Sequence, residues 1–234
     1  MFMGKAKADK IKSLMESAGG SFSKGLGIDL RSSRRREVFR WFLAAILFGA
    51  RISERLAAKT FQVFDLTGVT SPQKILGRGW NGLVQLLDEG GYARYDFKTA
   101  TKLLEMAKAL EEQYDGDLNR LHRMAGDPAD LENRIQSLAK GIGQVTANIF
   151  LREMRGIWKK ADPLPADLCV AAARSLGLLR MNLRAKKKIL AELKALWKAH
   201  GLPGMNFVDF EAALVRKGMH QRRKRREPTP PSIP

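Results

Sequence analysis

The residue best placed to do chemistry is Asp162, in the loop Ala161-Asp-Pro163. A carboxylate beside a reacting carbon balances positive charge developing there, and it can orient or deprotonate an attacking water. Upstream stands Leu138-Ala-Lys-Gly-Ile-Gly-Gln-Val-Thr-Ala-Asn148, in which Gly141 and Gly143 flank one aliphatic residue, Ile142. Glycines accept left-handed backbone angles and let another backbone come close. Their N–H groups, with those of a helix starting just after them, draw in a phosphate. Ile142 is expected to plug the turn into the core, with Lys140 and Thr146 beside it as a cation and a hydroxyl. A bare Gly-x-Gly also occurs in ordinary helix-to-helix turns. What singles this one out is its company: Thr146-Ala-Asn148, Asp162 downstream and a strongly basic chain. Asp162 is equally suited to cap a helix starting at Pro163, and the two roles are compatible because a capping Asp is held in place. Asp167 is the second candidate carboxylate, since the Pro-Leu-Pro stretch between the two leaves the choice open.

Helices must hold these groups. Leu131, Ile135 and Leu138 recur at the spacing of one helical face, and Val145, Thr146, Ile149 and Phe150 resume it after the glycines. This predicts a helix capped at Asp127-Pro128, a tight turn, and a second helix to about Arg155. Glu37 to Phe48 is apolar nearly all round and predicts a buried helix. Ser53 is expected to cap a helix to about Phe64, and Ser71-Pro72 to start another. Trp80, Leu83, Val84, Leu86 and Leu87 make an amphipathic segment that Gly90-Gly91 stops. Further helices are expected over about 4–18, 97–114, 117–125, 166–176, 183–199 and 207–215. No stretch alternates with a period of two, so the chain reads as all-α.

Composition narrows the chemistry. The chain has 234 residues, a net charge of +18 and a pI of about 10.3. Such a charge favours polyanions through phosphate contacts and counterion release. A hydrophobic content of 44% supports a substantial core. The single cysteine, Cys169, excludes intrachain disulfides and a four-cysteine metal site. His122, His200 and His220 show no ligand spacing, so neither a metal nor another cofactor is expected. The longest apolar run, Trp41 to Ala50, is too short to cross a bilayer. No signal-peptide pattern opens the sequence. An intracellular protein without a membrane partner is the expectation. The stretch 221–234, with Arg222-Arg-Lys-Arg-Arg226 and then prolines, reads as a disordered tail, suited to nucleic-acid contact or simply to solubility.

Leu138 to Asn148 resembles the helix-hairpin-helix of the endonuclease III-like DNA glycosylase superfamily, with the motif over 129–154. Phe39-Arg-Trp-Phe-Leu-Ala-Ala-Ile-Leu-Phe-Gly-Ala-Arg51 resembles that family's early buried helix and the turn after it. Gly90-Gly-Tyr-Ala-Arg-Tyr-Asp-Phe-Lys-Thr-Ala100 resembles its Gly-Tyr turn and Lys-bearing helix. Ala161-Asp-Pro163 falls where the family has its catalytic Asp. The likeness covers residues 37 to 177.

The resemblance implies a two-lobed all-α fold. Residues 1–50 and 156–220 would form one discontinuous lobe and 51–155 a helical barrel, with DNA in the cleft between them. It implies a base-excision repair glycosylase acting on double-stranded DNA with a damaged or mismatched base. The base is flipped out and its N-glycosidic bond is hydrolysed by a water that Asp162 assists. Bifunctional members carry a Lys where this chain has Val145, which cannot attack a sugar carbon, so the resemblance implies a monofunctional enzyme. The iron–sulfur cluster of several members has no cysteines here. The family's gap-filling residue falls at Ala50 or Arg51. Gly141, Ile142, Gly143, Thr146, Arg51 and Lys140 are thus the expected DNA contacts, although Arg51 equally suits a plain surface position. Trp41, Trp80, Tyr92 and Trp158 are the aromatics available for a base pocket, with Tyr92 and Trp158 put forward. Tyr92 suits the stapling of two helices as well. The chain is expected to be a monomer, nuclear if its source is eukaryotic. The alternatives are a glycosylase-like protein that binds DNA without cutting it, and a basic helical RNA-associated protein.

Overall fold

The computed structural model describes residues 2–224, and the last part of the expected basic tail, 225–234, lies outside them. The chain is 70% helix, with no strand among the described residues. In order the helices are α1 (Phe2–Ala18), α2 (Phe22–Gly25), α3 (Arg35–Phe48), α4 (Glu54–Leu66), α5 (Pro72–Glu89), α6 (Asp96–Tyr114), α7 (Leu118–Met124), α8 (Pro128–Gln136), α9 (Gln144–Met154), α10 (Asp167–Ser175), α11 (Lys186–His200) and α12 (Phe207–Lys224). Their starts follow local chemistry. Ser53, Ser71, Asp117 and Asp127 each accept a backbone N–H of the first turn they precede.

The chain packs into two units, one made of Ser23–Pro163 and the other of the segments that flank it. The sequence reading joined residues 23–50 and 156–163 to the flanking lobe instead. The difference comes from α3, which packs on α4 and α9 inside the middle unit.

In the middle unit α3 is buried on all sides, with Trp41, Phe42 and Leu43 wholly unexposed. Trp41 Nε1 donates to the Phe150 carbonyl of α9 at 3.1 Å, and Phe42 meets Phe150 edge-on at 4.9 Å between centroids. Arg40 is the one cation within that buried helix. Its guanidinium takes both oxygens of Asp65 on α4, at 2.9 and 2.8 Å, and Glu37 at 2.8 Å. A fork matched to a carboxylate in this way offsets the cost of burying the charge. α5 is broken at Gly79, whose φ of 68° and ψ of 171° are not helical. Such angles suit glycine, and the break rotates the residues after it.

In the flanking unit α12 packs on α10, α1 and α11. It runs to Lys224 rather than stopping near Val215, so the first residues of the expected tail are helical. Two contacts carry it onward. A Cβ at Gly218 would lie 2.3 Å from the Leu168 carbonyl oxygen, so the small residue lets α12 press on α10. Arg216 donates to the Ala18 carbonyl at 3.1 Å and the Gly20 carbonyl at 2.5 Å, and its guanidinium sits 4.0 Å over the Phe22 ring. No described helix is long and apolar enough to cross a membrane.

Candidate functional site

α8 and α9 are joined by a tight turn built on Ala139 to Gly143. Ile142 is 3% exposed and its N–H donates to the Ala139 carbonyl at 3.1 Å, which fixes the loop against the core. Gly141 has a φ of 88°, a left-handed angle that favours glycine. Gly143 is extended, with φ −103° and ψ −174°, and stands at the cap position of α9 without a side-chain cap. The first-turn N–H groups of a helix have no partner within it. Here Gly141, Gly143, Gln144 and Val145 are all exposed, so the positive end of α9 faces solvent. Lys140 is exposed as well, and its backbone N–H donates to the Glu105 carboxylate at 3.2 Å.

Thr146 does not join this surface. It is 5% exposed, and a Cβ placed on Gly49 would lie 2.3 Å from its Oγ1. The Thr146 side chain therefore fills the close approach between the end of α3 and the start of α9, and is not a DNA contact. Arg51 is exposed in the link between α3 and α4.

Sequence reasoning missed Lys102 of α6. Its Cε lies 3.0 Å from where a Gly141 Cβ would be, so its stem covers the turn. Burial pushes its ammonium below the usual lysine range. Among the described residues no carboxylate pairs with it.

Asp162 is 43% exposed and paired with Arg155, the residue that ends α9. Arg155 also donates from Nη2 to the Pro163 carbonyl at 2.7 Å. The expected cap is not formed, because α10 begins only at Asp167, after Ala166. Pro163 and Pro165 hold the preceding residues out of helical angles. The turn and Arg155 lie at opposite ends of α9, whose 11 residues span about 16 Å. Asp167 is highly exposed at the first turn of α10, in the flanking unit, and pairs with Lys186 at 2.8 Å.

The aromatics put forward for a base pocket are core residues. Tyr92 is 2% exposed, its hydroxyl donates to the Leu47 carbonyl at 3.2 Å, and burial raises its pKa to about 12. Trp158 is 4% exposed and donates from Nε1 to Asn119 at 2.9 Å. It lies flat on His122 at 4.7 Å between centroids and edge-on to Phe150 at 5.4 Å. His122 Nε2 is buried without a hydrogen-bond partner, and burial, then Lys160 and Arg123, push its pKa down. Trp41 is buried too. Of the four, Trp80 alone is exposed, at 39%, and it touches the exposed Phe97. No group of His, Cys, Asp and Glu among the described residues could hold a metal ion.

Nothing matches this chain among family models, curated proteins or solved structures.

Proposed function

We propose that the protein is a monofunctional DNA glycosylase that hydrolyses the N-glycosidic bond of a damaged or mismatched base in duplex DNA. The observation that carries the reading is α9 itself. Its uncapped N-terminus, behind Gly141-Ile142-Gly143, offers exposed N–H groups to a phosphate, and its C-terminal residue Arg155 fixes the carboxylate of Asp162. The turn acts as the helix-hairpin-helix grip on the backbone, and the net charge of +18 supplies affinity without regard to sequence. Asp162 balances the charge that builds on deoxyribose as the bond breaks and orients the attacking water. Lysine is missing at Val145, which is 64% exposed on the first turn of α9, and this favours water as the nucleophile.

The test is base release from duplexes that each carry one lesion or mismatch, read as strand breaks that appear only after hot alkali. A second reading, a relative that binds DNA without cutting it, is favoured by the Arg155 contact, since a guanidinium already sits on the carboxylate. Binding across the panel with no base release would select that reading.

A further inference from the structure

We infer that the exposed Trp80–Phe97 ring pair is a stacking platform for an unpaired nucleobase of the strand that the α8–α9 turn holds. This rests on the nucleic-acid binding proposed above.

The two rings form one aromatic surface. Trp80 is 39% and Phe97 59% exposed, with centroids 5.2 Å apart and planes inclined by 40°. Trp80 shares helical spacing with Leu83 and Leu87, both wholly buried, so an unbroken helix would turn it inward. The break at Gly79 delivers it to the surface instead. Its one polar atom is used: Nε1 donates to Thr101 Oγ1 at 3.1 Å, and that hydroxyl donates to the Phe97 carbonyl at 3.0 Å. The indole is thus fixed against α6 with its apolar surface in water. Adjacent large apolar side chains left exposed mark an interaction site.

Charge selects the occupant. Arg78 stands two residues before Trp80 and Lys98 directly follows Phe97. Both are exposed, and neither is ion-paired among the described residues. The near acid, Asp96, accepts the Phe97 N–H at 2.7 Å. Rings flanked by free cations match the alternation of base and phosphate in an unpaired strand. A second copy of this face would set Arg78 and Lys98 against like charges. Position agrees. Phe97 and Lys102, which covers Gly141, lie about 7.5 Å apart along α6, the length of about two stacked nucleotides. One helix therefore joins the phosphate grip to the platform.

The experiment measures binding of labelled single strands, duplexes with one bulged base and fully paired duplexes, at one salt concentration. The proteins are wild type, Trp80→Leu, Phe97→Ser and Trp80→Phe. Both rings are exposed, and an unchanged thermal midpoint shows that each variant folds. Trp80→Leu and Phe97→Ser should lose about five- to a hundredfold in affinity for the bulged duplex and single strand, with paired duplex unaffected and Trp80→Phe close to wild type. Equal affinity of wild type and Trp80→Leu for the bulged duplex would overturn the inference. So would an equal loss on paired duplex, or a wild-type dimer in sedimentation that Trp80→Leu abolishes. Base release is scored separately with wild type on the lesion panel. Release without any ring effect overturns the platform alone, and a ring effect without release overturns the glycosylase reading alone.

Discussion

Asp162 is held by Arg155, and Arg155 in turn donates to the carbonyl of Pro163, the residue after Asp162. One guanidinium thus fixes both the side chain and the backbone of the loop. Asp162→Asn should abolish base release and cost little stability, about 0–1 kcal/mol for a pair this exposed on the carboxylate side. Arg155→Ala should cost more, about 1–3 kcal/mol, because Arg155 is 8% exposed and its loss frees the loop. Thermal unfolding run beside the base-release assay checks both. Equal destabilisation by the two variants would mean that Arg155 does not organise the loop.

Gly141 and Gly143 should respond differently to substitution. Gly143 is extended and nothing lies within 4 Å of where its Cβ would be, so Gly143→Asp should fold normally. It would place a negative charge at the uncapped end of α9 and weaken DNA binding for all sequences alike. Gly141→Ala is strained at φ 88° and crowds Lys102, and should cost about 1–2 kcal/mol. Unchanged DNA affinity in folded Gly143→Asp would remove the turn from the interface.

Gly49 and Thr146 should be energetically coupled. Gly49→Ala puts a methyl 2.3 Å from Thr146 Oγ1, and overpacking of that kind costs about 1–3 kcal/mol. In a Thr146→Ala background the same change should cost less. A double-mutant cycle in urea measures the difference. Strict additivity would mean that the two residues do not meet.

Lys102 gives a pH dependence of definite sign. Burial lowers its folded pKa below the ordinary 10.5. Well below the folded value the ammonium is charged in both states and the burial penalty is full. Above 10.5 the amine is neutral in both and the penalty is gone. Relative to Lys102→Met, the wild type should gain stability as pH rises through that window. Urea midpoints for the two proteins between neutral pH and pH ~11 read this, the upper end lying just above the ordinary lysine pKa. Parallel profiles would contradict it. Should strand breaks appear without alkali, Lys102 is the amine to replace first, ahead of the exposed Lys140.

What the sequence revealed was local. Ser53, Ser71, Asp117 and Asp127 announce helix starts because a cap is a bond between near neighbours. The turn was legible for the same reason, since Gly141 and Ile142 answer to backbone angle and burial within one loop. The fate of the aromatics was not. Tyr92 and Trp158 are buried and Trp80 is exposed because of α3, Asn119 and the break at Gly79, none of which shows in the residue itself. Thr146 went astray likewise, since its role depends on Gly49, far away in the chain. The run past Val215 to Lys224 was hidden because tertiary contacts at Arg216 and Gly218 sustain a helix whose apolar period has faded.

The most direct test of the central claim is the lesion panel with wild type and Asp162→Asn side by side, with and without hot alkali. The account predicts base release from one class of duplex, visible only after alkali and absent with Asp162→Asn. Equal release by both proteins would contradict the role of Asp162, and release by neither, with DNA binding intact, would contradict the glycosylase reading itself.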